Sequence, residues 1–296
     1  FKQKTAYEIG VRLVGSEMCI RDREWMKDQL DYWQVSDYKR ISAFDGRDDD
    51  LSEIISGRYP EAVSSGEVGC VTSHLKSIKY WYDTTDTPYG IFMEDDCDFC
   101  SVKHWPFSWR EFMSRVPYDW DCLHMGFENP EGMPMFLHPI QSAHDFGPVL
   151  LHREYVEKLI DLHCVGDRYR LLNTVANAAW NSGKAVAGSG TVDYFMVHCG
   201  RTYCLPLITI NPSFGSFEDN SAIQRFYRES GDIKARNAYY FWWKHERDRF
   251  TLDDFFTYGT SKDAEMTLDT EKFSGYDITG KMYEVYGEKY LENYRP

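Results

Sequence analysis

Apolar residues recur at helical spacing over residues 23–33, REWMKDQLDYW, where Trp25, Leu30 and Trp33 share one stripe. A short strand is expected over 38–44, stopping at the turn pair Asp45-Gly46. Ser64 and Glu67 have capping-box spacing and open a long helix through VGCVTSHLKSIKYWY. Pro88-Tyr89-Gly90 then leads into Ile91-Phe92-Met93, a buried strand that ends in acid. Further on, the pattern predicts a helix over 104–116, strands over 121–127 and 146–152, and helices over 153–163 and 170–183. A turn element at 191–200 and a last core strand over 203–210 complete the series. Helices and apolar strands alternating in this way predict an α/β fold with a mainly parallel sheet.

The opening residues change that picture. Residues 2–9, KQKTAYEI, and 13–22, LVGSEMCIRD, match the translations of two common sequencing-adapter stretches, in the right order, with three residues between them for an index. Residues 1–22 therefore read as adapter-derived. Residues 23–215 form the expected main domain, and 216–296 an acidic, aromatic extension packed on it. The roughly 270 residues after the opening can bury a substantial core. A net charge of −14 repels a phosphate backbone, so nucleic acid is not an expected partner. No apolar run is long enough to span a bilayer. The scattered cysteines do not form a disulfide framework, and no Asn-x-Ser/Thr acceptor site occurs. Both features lean towards a cytoplasmic location, at a membrane face or free of one.

The sharpest chemical signal is Glu94-Asp95-Asp96-Cys97-Asp98, directly behind the apolar strand. In α/β sheets the ligand crevice lies beyond the carboxyl ends of the strands. Strand alternation would put Glu94, Asp96 and Asp98 on one side and Asp95 on the other. Carboxylates this close repel unless a cation or protons neutralise them. Hard oxygen ligands select Mg²⁺ or Mn²⁺, commonly shared with substrate phosphates. A metal-bridged diphosphate is the cargo such a cluster suits.

Three segments, taken together, resemble family 25 of the glycosyltransferases, the lipooligosaccharide-type galactosyltransferases to which the collagen galactosyltransferases are related. They are Ala43-Phe44-Asp45-Gly46, then Gly66-Glu67-Val68-Gly69-Cys70-Val71-Thr72-Ser73-His74, then Ile91-Phe92-Met93-Glu94-Asp95-Asp96. The resemblance covers about residues 23–215. It implies a GT-A-like fold, a UDP-sugar donor (often UDP-galactose), Mn²⁺ or Mg²⁺, inversion at the anomeric carbon, and a glycan, lipid-linked or protein acceptor. By position, Glu94 and Asp96 resemble the ends of the family's metal motif, with Asp95 between them. Ala43, Asp45 and Gly46 resemble its donor-side loop, while Glu67, Ser73 and His74 lie in its signature helix. The family's first strand is expected to be missing, replaced by the adapter.

An inverting transfer needs a base for the acceptor hydroxyl, and a partly buried carboxylate suits that role. Asp193, between Val192 and Tyr194, is the candidate, and His198 is a candidate third metal ligand. Cys70 and His74 lie four residues apart on one helix face, but a zinc site there would need further ligands. Cys97-x-x-Cys100 sits on a strand end with no second pair, against a redox or zinc role. Two other function classes stay open. One is a nucleotide-sugar-binding module without turnover, and the other a two-carboxylate glycoside hydrolase, which needs no metal-diphosphate site.

Overall fold

The computed structural model describes residues 11–15, 20–46, 49–58, 64–126, 132–140, 148–171, 196–197, 199–210 and 233–270, with the side chains of 11–15 and 20–22 left aside. The chain is a mixed α/β protein. In order come β1 (Val11–Gly15), α1 (Ile20–Tyr32), β2 (Tyr38–Ser42), the short α2 (Leu51–Ile54), α3 (Ser65–Thr84), β3 (Tyr89–Glu94) and β4 (Cys97–Asp98). They are followed by α4 (Trp109–Arg115), β5 (Cys122–His124), β6 (Gly132–Pro134), β7 (His138–Pro139), β8 (Val149–His152) and α5 (Arg153–His163). The described chain closes with β9 (Cys164–Val165), β10 (Arg168–Tyr169), β11 (Thr202–Cys204), β12 (Thr209–Ile210), α6 (Ile233–Phe241) and β13 (Thr267–Asp269).

Seven strands form the main sheet in the order β2-β1-β3-β8-β5-β11-β7. β1 runs parallel to both β2 and β3, whereas β8 lies antiparallel between β3 and β5. β11 is parallel to β5 and antiparallel to β7. The sheet is thus evenly mixed, not mainly parallel as the alternation of elements suggested. The described residues between β5 and β8 carry two short strands and no crossover helix, so the chain enters β8 from the opposite end.

Period-two alternation sorts the core into two layers. Ile91, Met93, Leu123, Met125 and Leu150 share one buried cluster with Met26 and Leu30 of α1. Phe92, Cys122, Val149 and Leu151 share the other with Val68, Val71, Leu75 and Trp81 of α3 and with α5. Gly90 lets α3 lie close, because a Cβ there would stand 2.7 Å from the Trp81 ring. The C-terminal segment covers the first face: Tyr239, Trp242, Trp243, Phe255 and Leu268 enter the same cluster as α1, and β13 pairs with β6.

Several sequence expectations need correction. The sheet has no gap where the family's first strand was expected to be missing: Val11–Gly15, within the residues that read as adapter, lies between β2 and β3, register Val14 to Glu94. The single last strand over 203–210 is two, since the chain leaves the main sheet after Cys204 and rejoins a separate pair, β12 with β4. The helix over 104–116 shortens to α4, because Ser108 and Glu111 form their own capping box. The expected helix over 170–183 lies almost wholly outside the described residues.

Candidate functional site

The connection after β1 leads to β2 on one side, and the chain after β3 leads away to β5 and β8 on the other. Their carboxyl ends therefore form a topological switch point, the place where open α/β sheets receive ligands. The first turns of α3 stand beside it. The helix is opened by Ser64, whose side chain accepts from the Glu67 amide, while the Glu67 carboxylate accepts from the Ser64 amide at 2.7 Å. Glu67, expected at the donor site, is thus engaged in capping its own helix.

Two successive turns of α3 clasp two different segments. Ser73 accepts the Phe44 amide at 2.8 Å, and Lys76 donates to the Ser42 carbonyl at 2.9 Å while lying over the Phe44 ring. Gly69 faces the same loop so closely that a Cβ on it would meet the Gly46 nitrogen at 2.7 Å and the Phe44 oxygen at 2.8 Å. A Cβ on Gly46 would overlap the carbonyl of Ser65. The loop Ala43–Gly46 is therefore held as a rigid edge, closed by reciprocal bonds between Asp45 and Asp49. The intervening positions of the helix turn to Glu94. His74 Nε2 lies 3.0 Å from Glu94 Oε1, and Cys70 Sγ 3.9 Å from the same atom. His74 is 1% exposed, and the Glu94 side chain 36%.

The acidic run does not continue as a strand. β3 ends at Glu94, Asp95 and Asp96 form a half-buried turn, and Cys97–Asp98 belong to β4. The expected one-sided row of Glu94, Asp96 and Asp98 is corrected accordingly. Asp98 is fully buried, and its Oδ2 takes both Nε, at 3.1 Å, and Nη2 of Arg236 from α6. Its Oδ1 accepts the Cys100 amide at 2.9 Å. A carboxylate already neutralised in this way has no role left as a metal ligand, so Asp98 is a structural anchor for the C-terminal segment. β4 is fixed from its other side by Gln29, which donates to the Cys97 carbonyl at 2.9 Å and accepts the Phe99 amide at 2.8 Å. Cys100 is buried too, and burial holds its thiol well above the ordinary range, which suits packing rather than redox work.

No family model matches the chain, and no curated protein matches it. Among solved structures it is similar to A197 from STIV, at 14% identity and a TM-score of 0.35, over 68% of this chain and 83% of that one.

The structure brings Ala43, Asp45, Gly46, Ser73, His74 and Glu94 together around α3, with Asp95 and Asp96 following Glu94 directly. Asp193 and His198 lie outside the described residues. Cys70 is the residue that sequence reasoning set aside. Cys70, His74 and Glu94 place their ligand-type atoms within 4.8 Å of one another, and among the described residues they are the group of three or more that does so. The signal available was the four-residue spacing on a helix that leads straight into the acidic strand.

Proposed function

We propose that this chain is a glycosyltransferase that moves a hexose, galactose first among the candidates, from a UDP-sugar to an acceptor hydroxyl. The acceptor would be a glycan, a lipid-linked saccharide or a protein, and the sheet would serve as a GT-A-like nucleotide platform. The observation that carries this reading is the shared use of α3. Its alternate positions hold Ala43–Gly46 through Gly69 and Ser73, and Glu94 through Cys70 and His74, so the three motif segments form one assembly at the strand ends. Packing alone does not require a buried histidine against a half-exposed carboxylate at a switch point.

Glu94, Asp95 and Asp96 supply hard oxygen donors, all half-buried, which suit Mn²⁺ or Mg²⁺. Such an ion, when bound, offsets the charge that develops on a departing nucleoside diphosphate. The chain's own part is to hold that motif and the 43–46 loop in fixed relation, and to supply a base for the acceptor hydroxyl. Asp193 remains the candidate for that base.

The test is calorimetric titration of UDP with and without Mn²⁺. Binding should need the ion, and Asp96→Ala should abolish that dependence while leaving the protein folded. Unchanged UDP affinity in Asp96→Ala would remove the metal from the reading. UDP release from UDP-sugar on adding an acceptor separates a transferase from a binding module, and metal-independent sugar release would favour a hydrolase.

A further inference from the structure

We infer that Cys70, His74 and Glu94 form a zinc site at the end of β3, sharing Glu94 with the hard-cation motif and differing from it in the thiol and imidazole it adds. The three residues offer a thiol, an imidazole and a carboxylate, a borderline-soft set that favours Zn²⁺ over Mg²⁺ or Mn²⁺. Tetrahedral zinc, with bonds of about 2.0–2.3 Å, separates its ligand atoms by roughly 3.3–3.6 Å. The observed separations from Glu94 Oε1, 3.0 Å to His74 Nε2 and 3.9 Å to Cys70 Sγ, lie on either side of that range. All three ligand atoms lie within 4.8 Å of one another, so binding the ion requires them to draw together around it.

The ligands are held in place beforehand. Cys70 and His74 are one helical turn apart, on the part of α3 that Gly69 and Ser73 lock against the 43–46 loop. Glu94 ends a strand paired with β1 and β8. On binding, the thiol releases its proton to solvent, and neutral His74 offers the Nε2 lone pair. The thiolate and the carboxylate then cancel the charge of the ion, which suits a position where His74 is buried. Three protein ligands leave a fourth position for water or substrate on the exposed side of Glu94.

The site stands on geometry and does not rest on the transferase reading. The assay reads Cys70, whereas Mn²⁺-dependent UDP binding reads Asp96, so either can fail without the other. The full chain, stripped with chelator and dialysed, should take up one equivalent of Zn²⁺ in competition with a chromogenic chelator. Co²⁺ in its place should give a near-ultraviolet thiolate-to-metal charge-transfer band. Cys70→Ser should lose that band and weaken Zn²⁺ binding by at least about tenfold, while Cys164→Ser keeps both. A measurement on the unaltered chain guards against a misfolded variant: one equivalent of Zn²⁺ should slow alkylation of Cys70, and not of Cys164, in peptide mapping by mass spectrometry. Co²⁺ binding without the band, Zn²⁺ binding indifferent to Cys70→Ser, or alkylation of Cys70 unaffected by Zn²⁺ would each overturn the assignment.

Discussion

Replacing Arg236 with Met isolates Asp98, the acidic residue of the 94–98 run that an arginine neutralises. Asp98 is 0% exposed and the Arg236 side chain 6%, so solvent screens this pair little. At about 4 Å and an effective dielectric of about 20, two unit charges attract by about 4 kcal/mol. Deleting one partner leaves a buried carboxylate uncompensated, which costs about 3–5 kcal/mol. Set against a typical stability of roughly 5–15 kcal/mol, that is a large loss. Urea unfolding followed by tryptophan fluorescence should show the Arg236→Met midpoint falling with little change in slope. Adding Asp98→Asn should recover part of the loss, because the amide keeps an oxygen for the Cys100 amide without the charge. Asp96→Ala, in the turn, should stay within about 1 kcal/mol of the parent. A loss below about 1 kcal/mol for Arg236→Met, or a double variant as unstable as the sum of the singles, would refute the account of Asp98 as an anchor.

Gly69→Ala should destabilise by about 1–3 kcal/mol in thermal unfolding and weaken Mn²⁺-dependent UDP binding, because the added methyl meets backbone atoms of the 43–46 loop that cannot swing aside. Ser64→Ala should cost about 1 kcal/mol, measured the same way, by opening the capping box of α3. His104, with its ring against Tyr240, is held down from 6.5 to about 4, first by burial and then by Lys103 and Arg247. The unfolded chain then binds more protons between those values, so stability should fall as pH drops from about 6.5 to about 4. Urea midpoints across that window should fall less for His104→Gln, and parallel profiles would remove His104 as the cause.

Much of the local structure is written in short-range signals. The Ser64–Glu67 box, the Trp25–Leu30 stripe and the run Arg153–His163 each specify their element through side chains a few residues apart, and α1, α3 and α5 form there. What those signals cannot carry is the partner of a charged group far along the chain. Asp98 reads like its neighbours until Arg236, 138 residues later, is folded onto it. The direction of β8 is equally illegible, because it depends on the path the chain takes between β5 and β8 rather than on the composition of the strand. Local spacing gives Cys70 and His74 no third partner, because Glu94 lies 24 residues from Cys70, on the strand that follows α3.

β1 poses the sharpest question, since residues that read as adapter stand inside the main sheet, between β2 and β3. The two findings are physically compatible. A parallel sheet lacking one inner strand presents unsatisfied N–H and C=O groups on both flanks of the gap, a template for whatever extended segment is available. Those bonds are made by backbone, so they do not need a particular sequence, and Val-Arg-Leu-Val-Gly consists largely of residue types that tolerate a strand. The gap here is bounded by β2 and by β3, whose last residue is Glu94 in register with Val14. Deleting residues 1–19 should therefore leave both neighbours unpaired on their facing edges, and the shortened chain should unfold at lower urea or aggregate. Hydrogen exchange should show the amides of β2 and β3 losing protection first. Should the shortened chain keep its urea midpoint and its protection in β2 and β3, the segment would be a passenger, and the sheet would have to be complete without it.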